Sequence, residues 1–163
     1  DGKISLSRFF DDKSDLRPLS WEEINEMVSY GMQIGSHSVT HREIAGLSED
    51  DAFRELELSR KRIKEMTGSD TASFSYPFGN KGSFNKETEA LLRKAGYASA
   101  YTNLMGMDNS MAKPYAIKRI RIYGTDNIFR FKMKVAGSYN WVDALAAPPF
   151  FARDICQPDR KTT

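Results

Sequence analysis

The sequence predicts an α/β chain of parallel βα units, and three observations predict it. Helix-period apolar spacings alternate with short apolar runs, giving helix, strand, helix, strand, helix, strand with short links. The runs at 32–36 and 72–76 have the length of strands. A glycine closes each helical stretch, at Gly31, Gly68, Gly96 and Gly137. Both a doubly wound sheet and part of a β/α barrel fit this order. In either, functional groups gather in loops after the carboxyl ends of strands. The loops after Ser36 and Tyr76 stand out by that rule.

Each element has a local reason. Residues 1–18 are polar and aperiodic, with Asp11, Asp12 and Asp15, and read as an entry segment. Ser20 caps a helix and Glu23 completes a capping box. Trp21, Ile24, Met27 and Val28 recur at helical spacing until Gly31. The run 32–36 reads as a buried strand. Ser48, with Asp51 three residues on, opens a second helix. Its inner face carries Phe53, Leu56, Ile63 and Met66, and its outer face Arg54, Glu57, Lys61 and Lys64. The run 72–76 is a strand that Pro77 ends, and Gly79, Asn80 and Gly82 make the next stretch a loop.

Asn85 caps a helix with Leu91, Leu92 and Ala95. Residues 97–101 read as a strand, 103–114 as a connection and 117–123 as a strand. Asp126 is the expected cap of a last helix using Ile128, Phe129, Phe131 and Val135. The resulting division is an entry segment at 1–18, a domain at 19–146 and a tail at 147–163.

Composition narrows the function classes. At roughly 150 residues per domain, 163 residues make one domain, long enough for a real core. The 40% hydrophobic and 28% charged residues exclude wholesale disorder. A net charge of +2 argues against a dedicated nucleic-acid binder. No apolar run is long enough to span a membrane, so no transmembrane segment is expected. The single Cys156 excludes an internal disulfide and a cysteine-based zinc cluster.

The chain holds two histidines, His37 and His41, at the end of the 32–36 run. Neutral imidazole is the commonest protein ligand for zinc-type metals, and a spacing of four lets both rings reach one ion from a tight loop. Exposed or hydrogen-bonded loop histidines have the same spacing, so spacing alone leaves both readings open.

The surroundings go further. Gly31-Met32-Gln33-Ile34-Gly35-Ser36-His37-Ser38-Val39-Thr40-His41, then Leu47-Ser48 and an acidic helix with Glu55, Glu57 and Ser59, resembles the second motif of the polysaccharide deacetylase family. This is the NodB-homology group of carbohydrate esterases. Phe74-Ser75-Tyr76-Pro77-Phe78-Gly79 resembles its third motif. The likeness runs from about Leu19 to Thr102, and more loosely on to Gly137.

The resemblance implies part of a distorted β/α barrel of the NodB type. It implies hydrolysis of acetyl groups from N-acetylated sugar polymers, or from esters in some branches, with a divalent metal, most often zinc. His37 and His41 match the family's two metal-binding histidines. Phe78 takes the position whose backbone amide stabilises the oxyanion, with Tyr76, Pro77 and Phe78 walling the substrate groove. The expected partner is an N-acetylated glycan, and the expected location is the cell envelope or outside the cell. The rival expectation is a non-catalytic glycan-binding or structural relative that keeps the fold.

Several family features have no match. The Thr-Phe-Asp-Asp-Gly motif, which carries the general base and a metal-binding aspartate, is not found in that form. Asp1-Gly2 and Phe10-Asp11-Asp12-Lys13 share letters with it but lie too near His37. The chain opens without Met, so the expectation is a piece of a longer product with that motif upstream. No third histidine exists to serve as the late general acid, and Ser75 replaces a common arginine. Asn140-Trp141-Val142-Asp143 resembles the fourth motif only in its letters. A barrel lacking its first strands has an open parallel edge, which a second copy, another chain or residues 1–18 would cover.

Between Lys118 and Lys134, six basic residues face one acid, Asp126, for a net of +5. This stretch reads either as attraction to an anionic partner or as the solvated face of a strand and helix.

Overall fold

The computed structural model describes residues 18–107 and 113–138. Four α-helices and a parallel three-stranded sheet make up this part. α1 (Trp21–Ser29) begins as expected: Ser20 Oγ accepts from the Glu23 amide, and Glu23 Oε2 accepts from the Ser20 amide at 2.8 Å. α2 (Glu49–Thr67) starts on Ser48, which accepts from the Asp51 amide, and ends on Gly68 in the left-handed region at φ 69°. It buries Ala52, Leu56, Ser59 and Ile63, a spacing of three and four that lays one stripe on the core. α3 (Lys86–Lys94) has a reciprocal cap between Asn85 and Thr88.

β1 (Ser73–Ser75) pairs in parallel with β2 (Ser99–Met105), and β2 with β3 (Ile117–Arg119). Phe74 and Ala100 are register partners and both face the core. There they meet Leu56, Leu91, Leu92, Tyr97 and Tyr115. Burying each Leu or Phe contributes about 1.5–3 kcal/mol. α4 (Ile128–Val135) follows β3.

Five expectations are corrected. The 32–36 run is not a buried strand. It makes one parallel bridge, Ser36 to Phe74, and Met32 is exposed. Only Ser36 reaches β1, its amide donating to Ser73 O at 3.0 Å and its carbonyl accepting from the Ser75 amide at 2.8 Å. Residues 31–35 find no partner strand among the described residues.

The third strand starts at Ser99 and runs to Met105, beyond the expected 97–101, because β3 supplies its far half with a partner. The fourth ends at Arg119 rather than residue 123. Its last partner is Met105, opposite Arg119, where β2 also ends, and the side chains of Arg119 and Arg121 turn back to the β2 carbonyls of Thr102, at 2.7 Å, and Asn103, at 3.4 Å.

The cap of α4 is Asn127, not Asp126. Asp126 instead accepts from the Tyr123 amide and from Lys134 Nζ. That pair turns Lys134 inward, and the expected apolar face of Ile128, Phe129, Phe131 and Val135 faces outward. The basic stretch is therefore not one free surface: Arg119, Arg121 and Lys134 all donate to atoms of the fold. No described helix is long and apolar enough to cross a membrane.

Candidate functional site

The Ser36 bridge delivers His37 to the end of β1. His37 Nδ1 lies 2.7 Å from the Ser75 carbonyl. A carbonyl only accepts, so Nδ1 carries the proton and Nε2 keeps its lone pair facing away. Part of His37 is exposed, yet protein atoms crowd the ring. That desolvation, with the nearby charges of His41 and Arg119, holds it below the ordinary imidazole value, against the opposing bond to Ser75. The neutral, metal-competent form is favoured.

The loop then reverses tightly. Ser38 and His41 both have left-handed backbones, at φ 67° and 58°, and the His41 amide donates to Ser38 Oγ at 3.0 Å. This brings the two imidazoles edge to face, with centroids 4.9 Å apart. His41 in turn meets the Phe78 ring at 5.0 Å. The two sequence motifs, 37 residues apart, therefore form one cluster.

Phe78 sits in a turn with φ 63° and is followed by Gly79 at φ 61°. Asn103 holds this turn twice: its Nδ2 donates to Phe78 O at 2.6 Å and its amide to Gly79 O at 2.8 Å. Arg119 Nη2 donates to Asn103 Oδ1 at 2.7 Å and fixes the amide orientation. The Phe78 N–H donates to no atom among the described residues. Tyr76 and Pro77 are buried. Tyr76 stacks on Phe84 and donates its hydroxyl to Tyr115 O at 3.0 Å. Of the expected groove wall, these two pack beneath the surface, and Phe78 is the member beside the histidines.

Glu55 of α2 reaches the same loop, accepting from the Val39 and Thr40 amides and the Thr40 hydroxyl. Its place here, and those of Asn103 and Arg119, escaped the residue-by-residue reading. Glu55 stood out only as part of an acidic helix, and Asn103 fell in an expected connection. No group of three or more His, Cys, Asp or Glu side chains suited to a metal exists among the described residues. Asp11, Asp12, Cys156 and the 140–143 stretch lie outside them. A separate surface hollow of about 410 Å³, lined by Ile44, Leu47, Glu49, Asn85 and Leu91 among others, includes neither histidine.

Comparison with known proteins bears on this cluster. The family model for polysaccharide deacetylase matches residues 6–100, which contain both motifs. YxkH of Bacillus subtilis strain 168 is 32% identical over 104 residues, covering 64% of this chain and 36% of that protein. This chain spans about a third of the length of the curated relatives it matches. A polysaccharide deacetylase from Bacillus cereus superposes with a TM-score of 0.64 at 25% identity, covering 75% of this chain and 38% of that one. The Streptococcus pyogenes deacetylase PplD, solved with acetate, superposes with a TM-score of 0.67 at 21% identity, covering 74% and 52%. The last likeness is one of fold.

Proposed function

This chain belongs to the polysaccharide deacetylase family, and we propose that it carries part of a metal-assisted centre that removes acetyl groups from N-acetylated sugar polymers. The observation that supports this most is the cluster itself: two imidazoles 4.9 Å apart, one with its Nδ1 proton held by Ser75, beside the Phe78 amide, which donates to no atom among the described residues. A ligating histidine generally donates its other nitrogen in this way, which sets the tautomer and the ring plane. The pair fits a divalent ion as two of its ligands, with zinc the natural choice for imidazole.

His37 and His41 would hold that ion through their free ring nitrogens. Bound there, a divalent ion would polarise the acetyl carbonyl and lower the pKa of a water. The Phe78 amide is oriented by the left-handed turn that Asn103 clamps, and it would donate to the oxygen that gains charge as the carbonyl becomes tetrahedral. The Phe78 ring, edge-on to His41, shields that face from water. Tyr76 and Pro77 support the turn from below. The general base, the general acid and an acidic ligand are assigned to no described residue. The proposed place of work is the cell envelope or its exterior.

A second reading is a relative that binds glycan without cleaving it. The sequence feature that supports it is the lack of a third histidine to serve as the late general acid.

Zinc titration by calorimetry tests the first reading, with His37→Ala and His41→Ala beside the parent. Binding that each substitution abolishes is the expected result. Binding that neither affects overturns the metal role. Acetate release from an N-acetylglucosamine oligomer, suppressed by a chelator, separates catalysis from glycan binding alone.

A further inference from the structure

We propose that Glu55 is a positioning residue whose carboxylate holds the 37–41 loop in the shape that sets His37 and His41 side by side. The inference rests on reading that pair as a ligand site. Glu55 Oε2 accepts from the Val39 amide at 2.8 Å and the Thr40 amide at 2.9 Å, and Oε1 accepts from Thr40 Oγ1 at 2.6 Å. Two successive amides aimed at one oxygen form an anion-binding concavity, and here the anion is built into the chain.

The loop needs such a clamp. Ser38 and His41 both occupy the left-handed region, which side chains other than glycine rarely adopt. Strained residues persist where the surroundings over-determine them. Burial does not do this here, because Val39 is 54% exposed and Thr40 is exposed as well. Sequence-local bonding supplies one contact, His41 N–H to Ser38 Oγ. Glu55 supplies three, between the two strained positions.

Its own base is rigid. Leu56, the next residue, is fully buried, and one turn on Ser59 Oγ lies 2.7 Å from Ser36 Oγ. α2 thus grips the segment at Ser36, where it leaves the sheet, and at residues 39 and 40. His37 lies between these grips and His41 directly follows the second.

The experiment uses imidazole nitrogen-15 NMR on the whole chain, which has only these two histidines. The parent should show His37 as the Nδ1–H tautomer and a ring-to-ring Overhauser effect between His37 and His41. Glu55→Ala should keep the fold, judged by the methyl shifts of Leu92, and lose the ring-to-ring effect. Its zinc affinity should fall tenfold or more. Glu55→Gln keeps an oxygen for the two amides and should retain the ring contact.

An unchanged tautomer and ring contact in Glu55→Ala overturns the proposal. If that variant fails to fold, Thr40→Val removes one of the three bonds and is read the same way: a reduced ring-to-ring effect supports the clamp, and an unchanged one overturns it. The two readings fail separately. A parent that takes no zinc but needs Glu55 for ring contact refutes the metal role alone. Zinc binding that requires His37 and ignores Glu55, with the ring contact intact, refutes the clamp alone.

Discussion

Tyr97 Oη lies 2.8 Å from Ser36 Oγ, joining a residue at the end of α3 to the one that introduces His37. The same hydroxyl donates to the Leu56 carbonyl at 2.9 Å, and Ser36 Oγ also meets Ser59 Oγ. All three side chains are buried, so each polar atom depends on the others. Tyr97→Phe should therefore cost about 1–2 kcal/mol, as removal of one buried partner does. Urea unfolding should show a lower midpoint with an unchanged slope.

Gly79 has a specific reason to be glycine. A Cβ there would lie 2.6 Å from the Asn103 amide nitrogen, and φ is +61°. Backbone, not a flexible tip, stands in the way. Gly79→Ala should destabilise the chain by about 1–3 kcal/mol. It should also break the Asn103 amide bond to residue 79, read as faster hydrogen exchange at Asn103.

Asp126 should govern part of the acid limb of stability. The Lys134 side chain, then the Tyr123 amide, hold its carboxyl below the ordinary aspartate value. The unfolded chain takes up this proton at higher pH than the folded one. The stabilisation is thus present above the ordinary value of about 3.9 and is lost as pH falls through it toward the lowered folded value. Urea unfolding between pH 6 and 3 should show a shallower acid decline in Asp126→Asn, from a lower plateau.

Leu56 is fully buried in the core cluster with Phe74 and Leu92. Leu56→Ala should cost about 2–5 kcal/mol, by lost transfer energy plus an unfilled cavity. The melting temperature measures it, and Leu58→Ala, at a half-exposed position on the same helix, should barely move it.

Four helices, and their ends apart from the start of α4, were legible in the chain, because the signals are local. Ser20, Ser48 and Asn85 each cap through an amide three residues on, and Gly68, Gly96 and Gly137 each take a positive φ. These contacts close within one turn, so their partners are written beside them. The two histidines and the Tyr76-Pro77-Phe78-Gly79 run stood out in the same way, as candidate groups in the loops after short apolar runs.

Tertiary structure alone decided how long each strand is, which way α4 faces and what surrounds the histidines. A strand lasts only while a neighbour offers its N–H and C=O groups, and among the described residues only Ser36 of 32–36 and residues 117–119 of 117–123 find one. In α4 the Lys134–Asp126 pair lies on the buried side, while Ile128, Phe129, Phe131 and Val135 stay exposed among the described residues. His41 met Phe78, and Glu55 met Thr40, only because the sheet and α2 brought distant segments together. The sequence by itself determined the local turns and the candidate groups. The distances between those groups came from long-range pairing, which no short window of residues encodes.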